Sequence, residues 1–149
     1  METKDLLLRN WQDTDAEPLY EMCLDPALRA SGIHFYDSVA VGFINLSDMN
    51  RYDGDMELEY AIAKKYRNKG YATQALKRMV DYGFAEMNLL VIAAWVRSHN
   101  QNSARVLEKC SFSFEGRLRK HARDQSDTLC YSLLKEDWEN LPKDSIALS

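Results

Sequence analysis

Between residues 63 and 73 the chain reads Ala-Lys-Lys-Tyr-Arg-Asn-Lys-Gly-Tyr-Ala-Thr. Lys64, Lys65, Arg67 and Lys69 put four cations within six residues, and Gly70 follows immediately. An apolar run precedes this segment and a strongly periodic one follows it, so it joins a strand to a helix. The first turn of a helix has free backbone N–H groups and a partial positive charge, which suits phosphate. Glycine lets the backbone approach an anion closely. A second reading is a solvated basic loop whose glycine only makes the turn, since short glycine motifs carry little weight alone. It is not a Walker A loop, because no Gly-Lys-Ser/Thr follows.

Upstream, Asp53, Asp55, Glu57 and Glu59 alternate in an acidic strand-like run. They lack the twelve-residue calcium-loop pattern. They either attract a cationic ligand or form a solvated strand face. Cys23, Cys110 and Cys130 are odd in number and scattered, which implies reduced thiols in a cytoplasmic protein. His34, His99 and His121 share no zinc spacing with them, so no metal is expected. Trp11, Trp95 and Trp138 read as core or rim aromatics.

The 149 residues carry a net charge of −4, with 19 basic and 23 acidic side chains. That balance argues against a nucleic-acid partner while permitting a local basic patch. No secretory signal pattern opens the chain, and no apolar run reaches the roughly 18 residues of a membrane span. Without repeats or linkers, residues 1–149 read as one domain.

The elements that must position these residues follow from periodicity. Asp5 to Trp11 suits a short strand. Thr14 or Asp15 can cap a helix with Leu19, Met22 and Cys23 on its apolar face, ended at Asp25-Pro26. Val39–Leu46 and Met56–Ala63 read as strands around a polar turn with Gly54. Tyr71–Met87 is the best helix: Ala72, Ala75, Leu76, Met79, Val80, Gly83 and Met87 recur at spacings of three and four, and Asn88 closes it. Val91–Val96 fits a central strand. Ser103 can cap a short helix with Val106, Leu107 and Cys110 on its apolar side. Phe112–Leu118 and Thr128–Leu134 should form a hairpin joined through the polar stretch 123–127. The pattern is a mixed α/β (α+β) fold with helices inserted between strands.

Arg67-Asn68-Lys69-Gly70-Tyr71-Ala72 matches the motif Arg/Gln-x-x-Gly-x-Gly/Ala. Around it stand Leu6-Leu7-Leu8-Arg9 with Asp15, then Glu57, Leu58 and Tyr60. Asn100, Ser103, Val106, Glu108, Lys109 and Phe112 come next. Glu115, Gly116, Leu118, Arg119, Asp127, Tyr131, Ser132, Leu133, Leu134, Asp137 and Trp138 complete the series. In this order the sequence resembles the GNAT superfamily of N-acetyltransferases. Within it, the resemblance is to the branch with the ribosomal-protein N-terminal (Rim-type) acetyltransferases. The resemblance implies a mixed, mostly antiparallel central sheet with flanking helices and a V-shaped cleft for acetyl-CoA. It implies acetyl transfer to a primary amine of a peptide or small molecule, a peptide α-amine first, and a homodimer as a common state.

By residue, the resemblance implies that backbone groups of Tyr60, Ala61, Ile62 and Ala63 pair with the pantetheine arm. N–H groups in the run Arg67, Asn68, Lys69, Gly70, Tyr71, Ala72 and Thr73 would hold the pyrophosphate. Asn100 would contact pantetheine, and Ser103 would cap its helix close to the thiol. Asn100 as a turn residue and Ser103 as a cap alone are the plainer alternatives. Glu57 is the candidate general base, with Glu59 on the same strand face; both also fit a solvated surface.

Three departures stand out. The tyrosine that protonates the leaving thiolate in many such enzymes is replaced by Leu107, leaving Ser103 or water. That keeps a second class open, an acyl-CoA-binding module without turnover. The glycine expected before Phe112 is Ser111. Finally, Ser31–Ser38 is too short for the helix and strand that the branch carries before the Val-Gly-Phe-Ile strand. Either the acceptor wall is cut down, or a segment is missing between Ser38 and Val39, the reading favoured here.

Overall fold

A computed structural model describes residues 1–10, 41–48 and 54–142. The expected first helix, Trp11, Cys23, His34, Asp53 and the Ser38–Val39 junction lie outside those residues. Among the described residues, five strands form one sheet: β1 Gly42–Asp48, β2 Asp55–Ile62, β3 Val91–Arg97, β4 Ser113–Leu118 and β5 Thr128–Leu134. Among the same residues three helices flank it: α1 Tyr71–Ala85, α2 Gln101–Lys109 and α3 Lys135–Glu139. The strand order is β1-β2-β3-β5-β4. Every pairing is antiparallel except β2 with β3. This is the expected mixed, mostly antiparallel α/β sheet.

The one parallel pairing gives the sheet its opening. β2 and β3 are in register only at Asp55↔Val91, Met56↔Ile92 and Glu57↔Ala93. β2 then runs on to Ile62 and β3 to Arg97 with no further pairing between them. Each stays bound on its outer side, β2 to β1 and β3 to β5. The two halves of the sheet therefore part after Glu57 and Ala93, which makes the V.

Alternation sorts the side chains. Leu58, Ile92, Ala94, Val96, Tyr131 and Leu133 turn to the helix side and are buried with Leu76, Val80 and Phe84 of α1 and Ala104 and Leu107 of α2. Buried α1 residues Ala75, Leu76, Val80, Gly83 and Phe84 follow the three-and-four spacing of one helical face. Burying a side chain such as Leu76 or Phe84 stabilises the fold by about 1.5–3 kcal/mol. Gly83 sets how closely α1 lies on the sheet. A Cβ there would sit 2.9 Å from Ile92 Cδ1 and 3.1 Å from Leu89 Cδ1. α1 stops at Ala85, two residues short of the expected Met87, with Glu86 as its C-cap; Asn88, at φ 54, turns the chain beyond that end, and Leu89 N–H donates to Gly83 O at 3.0 Å.

Some boundaries differ. Residues 5–10 do not form a strand; a single antiparallel bridge, Glu2↔Leu7, folds the chain back on itself. Leu8 N–H donates to Met1 O, so this segment satisfies its backbone locally instead of joining the sheet. α3 is unforeseen, because five residues show no periodicity. Ser111, in the glycine position, keeps the left-handed turn at φ 67, with Phe112 N–H donating to Leu107 O at 3.1 Å. The turn is therefore kept at the cost of strain.

Candidate active site

The loop after β2 is built to present donors. Lys64–Tyr66 make one 3-10 turn, and Arg67 Nε donates to Ile62 O at 2.8 Å, folding the loop back on the strand end. Asn68 at φ 63 and Gly70 at φ 79 both take left-handed backbone. Gly70 is the N-cap of α1; among the described residues no side chain caps this helix, and its first turn holds no acidic residue. The first intrahelical bond runs from Gln74 N–H to Gly70 O at 3.1 Å. Tyr71, Ala72 and Thr73 precede it, so their N–H groups have no carbonyl one turn back to bond. A Cβ on Gly70 would meet nothing nearer than Gln74 Nε2, at 4.0 Å, so the space before the helix is open.

Cations collect beside this opening. Lys64, Lys65, Arg67 and Lys69 are exposed. Lys65 Nζ and Lys69 Nζ lie 5.0 and 5.7 Å from the centre of the Tyr66 ring. Gln74, one turn in, is fixed from the other side. Its Nε2 donates to Asp5 Oδ2 at 2.9 Å, and its Oε1 accepts from Thr3 Oγ1 at 3.0 Å. Uncapped amides, a left-handed glycine and a local basic surface fit a pyrophosphate.

The V begins next to this cradle. Ala63 N–H donates to Val41 O at 2.8 Å, which turns the backbone of Ala63, and by alternation Ala61, toward β1. Tyr60 and Ile62 turn their backbone groups to the other edge, where β3 has moved away. An extended amide-bearing chain could pair with that edge as an added strand would. Ile62 O is partly committed to Arg67.

Glu57 sits at the apex, as the last β2 residue in register with β3. It alternates with Leu58, so it lies on the sheet face away from α1 and α2, with Glu59 two residues on. The same face carries Trp95, whose ring meets His121 edge-on at 5.3 Å, and Ser132, whose Oγ donates to Glu115 Oε1. Glu57 is half-buried, and its carbonyl oxygen lies 3.4 Å from Ser47 Oγ.

The cap expected of Ser103 falls to Asn100. Asn100 is the N-cap of α2, and its Oδ1 accepts from Ser103 N–H at 3.2 Å. Ser103 is therefore not the cap; it lies inside the first turn because the capping side chain comes three residues earlier. Its Oγ is 2.7 Å from Tyr60 Oη, which also donates to Ser103 O at 3.2 Å. Burial pushes the Tyr60 phenol up to about 12, against the lowering effect of its Ser103 hydrogen bond. Leu107 is fully buried in the core and offers nothing to the cleft.

Sequence reasoning assigned Tyr60 only a backbone part and missed its hydroxyl. The tyrosine type at this strand position was the available signal. Other quoted residues hold the frame: Tyr131 Oη donates to Glu108 Oε1 at 3.2 Å, and Trp138 Nε1 donates to Asp81 Oδ1 at 2.8 Å. Cys110 is buried and its thiol is pushed up to about 12 by burial. Among the described residues no group of three or more His, Cys, Asp or Glu is placed to hold a metal. None of the helices described is long and apolar enough to cross a membrane.

The family and the fold are shared with known proteins. Residues 29–113 match the family model described as an acetyltransferase (GNAT) domain. The uncharacterized N-acetyltransferase p20 of Bacillus licheniformis is 26% identical, covering 93% of this chain and 90% of its own. That alignment runs over 161 positions against a chain of 149, so it opens gaps in this chain. The ribosomal-protein-S5-alanine acetyltransferase of Vibrio fischeri superposes with a TM-score of 0.63 at 26% identity, over 67% of this chain and 57% of that one. A dodecameric spermidine N-acetyltransferase of Vibrio cholerae gives a TM-score of 0.61 at 27% identity, over 68% and 61%. The chain spans about three fifths of both solved structures.

Proposed function

The chain belongs to the acetyltransferase (GNAT) domain family, and from that premise we propose that it moves the acetyl group of acetyl-CoA to a primary amine. The observation that carries this reading is the uncapped start of α1 at Gly70, beside strands that part after Glu57 and Ala93. The amides of Gly70 to Thr73 hold the pyrophosphate, with Lys64, Lys65 and Lys69 adding positive potential. The edge of Tyr60 and Ile62 that turns away from β1 aligns the pantetheine arm toward the apex.

Direct attack needs a neutral amine. An α-amino group, with a pKa near 8, is partly neutral at physiological pH, whereas a lysine or polyamine nitrogen, near 10, needs a base. Glu57 takes the proton, directly or through water, from the face away from the helices. A backbone N–H of the Glu57–Tyr60 stretch steadies the thioester oxygen. Ser103, at the helix-side wall of the V, faces the leaving sulfur.

For the acceptor we propose a peptide α-amine. The Vibrio fischeri S5-alanine acetyltransferase supports that choice and the Vibrio cholerae spermidine enzyme argues for a polyamine, at nearly equal similarity. Mass spectrometry of peptides and polyamines incubated together with enzyme and acetyl-CoA separates the two. Acetylated peptide N-termini support the choice, and acetylated polyamine alone overturns it. A homodimer, common in the resembled family, and a cytoplasmic location belong to the same proposal; light scattering of the purified chain tests the first. Catalysis is preferred to a binding module without turnover because Ser103 and Tyr60 supply hydroxyls where Leu107 supplies none.

A further inference from the structure

The departing sulfur of the proposed reaction takes up negative charge, and the family's usual acid position is occupied by the buried Leu107. Two hydroxyls stand together elsewhere on the cleft. Tyr60 comes from β2 beyond the point where the strands part, and Ser103 comes from the first turn of α2. Their oxygens are 2.7 Å apart, so one must donate to the other. Tyr60 Oη has a second acceptor, Ser103 O, at 3.2 Å. This geometry has two settings. When the phenol donates to the carbonyl, the serine proton is used on the phenol. When the phenol donates to Ser103 Oγ, the serine proton is released to a third group.

We propose that Tyr60 is a positioning residue for the leaving group: by donating to Ser103 Oγ, it turns the serine hydroxyl toward the sulfur. The proposal rests on the acetyl-transfer reading. The amine nitrogen bonds to the acetyl carbon as the carbon–sulfur bond breaks, and the electron pair of that bond goes to sulfur. The amine proton leaves through Glu57 or water, and water later protonates the thiolate. Neither hydroxyl gives up its proton; the pair stabilises the developing anion by hydrogen bonding. A phenol raised to about 12 stays protonated throughout, as this part requires.

The test is Tyr60→Phe beside Ser103→Ala, with thermal unfolding of each as a fold control. Both variants should keep the affinity for acetyl-CoA within a few-fold and lose about tenfold or more in kcat. The double variant should be no worse than Ser103→Ala alone, because the two act as one unit. Independently of turnover, a site that favours thiolate binds free CoA more tightly as pH rises through the thiol range, whereas desulfo-CoA shows no such rise. Both variants should flatten that difference. Wild-type kcat in either variant overturns the proposal. So does a lowered kcat with the pH dependence of CoA binding unchanged. If Tyr60→Phe does not fold, Ser103→Ala decides by the same two readouts. A wild-type protein that binds no acetyl-CoA overturns the function itself. Binding and turnover with both variants unaffected overturn only the pair.

Discussion

Gly70 distinguishes a phosphate cradle from a plain turn, and two substitutions separate the readings. At φ 79 and ψ 0, an L-residue pays left-handed strain of about 1–2 kcal/mol. Part returns through the lower entropy of the unfolded chain, about 0.4–1 kcal/mol for Gly→Ala. The nearest atom to a new Cβ is Gln74 Nε2 at 4.0 Å, so no clash adds to this. Gly70→Ala should therefore cost about 1 kcal/mol, a fall of about 2–4 °C in Tm for a domain of this size. Gly70→Val adds a branched side chain at the mouth of the cradle. Losing one charge-assisted hydrogen bond to phosphate removes about 1.5–3 kcal/mol of binding, more than tenfold in Kd. Calorimetry with acetyl-CoA at a temperature where the variants are folded reads that term alone. If Gly70→Val lowers Tm but leaves Kd within about twofold, well under the tenfold per 1.4 kcal/mol at stake, the glycine serves only the turn. The pyrophosphate assignment is then wrong.

Glu57→Gln keeps shape and removes the base, so kcat should fall with acetyl-CoA affinity retained; an unchanged pH–rate profile would place the base elsewhere. Ser111→Gly relieves the residue at φ 67 and should raise stability by up to about 1 kcal/mol; a lower Tm counts against strain there. Burial raises the Asp81 carboxyl above its ordinary 3.8, so the folded state holds this proton to higher pH than the unfolded chain. Stability from this group is thus lost as pH rises from 3.8 through the folded value. Asp81→Asn retains an acceptor for Trp138 and should improve relative to wild type as pH rises from 4 to 7, by denaturant titration; a relative decline would refute this.

Much of the sheet was readable because buried faces impose periodicity. Leu58 and Tyr60 alternate on β2, and Leu76, Val80 and Phe84 repeat on α1. The basic loop with its glycine turn before α1 was readable because glycine and cations next to a helix start are local features of the sequence. Long-range facts were not. Which of Asn100 and Ser103 caps α2 depends on how the chain enters the helix, a choice among adjacent capping residues that composition leaves open. The Tyr60–Ser103 contact joins residues 43 apart, through strands that diverge, and no spacing rule encodes it. The N-terminal stretch has strand-like residues but bonds to itself and to Gln74, tertiary context overriding propensity. α3 is too short to be periodic, and its place is set by Trp138 against Phe84 at 5.4 Å and by Asp81.

The central claim is that the cleft between β2 and β3 performs amine-dependent acetyl transfer. The most direct measurement follows free thiol released from acetyl-CoA by the purified protein, with and without a peptide bearing a free N-terminus, while mass spectrometry follows the peptide. The account predicts thiol release that requires both protein and amine and equals, mole for mole, the acetylated product. Tight binding of acetyl-CoA with no thiol released for any primary amine would contradict it and leave a binding module in its place.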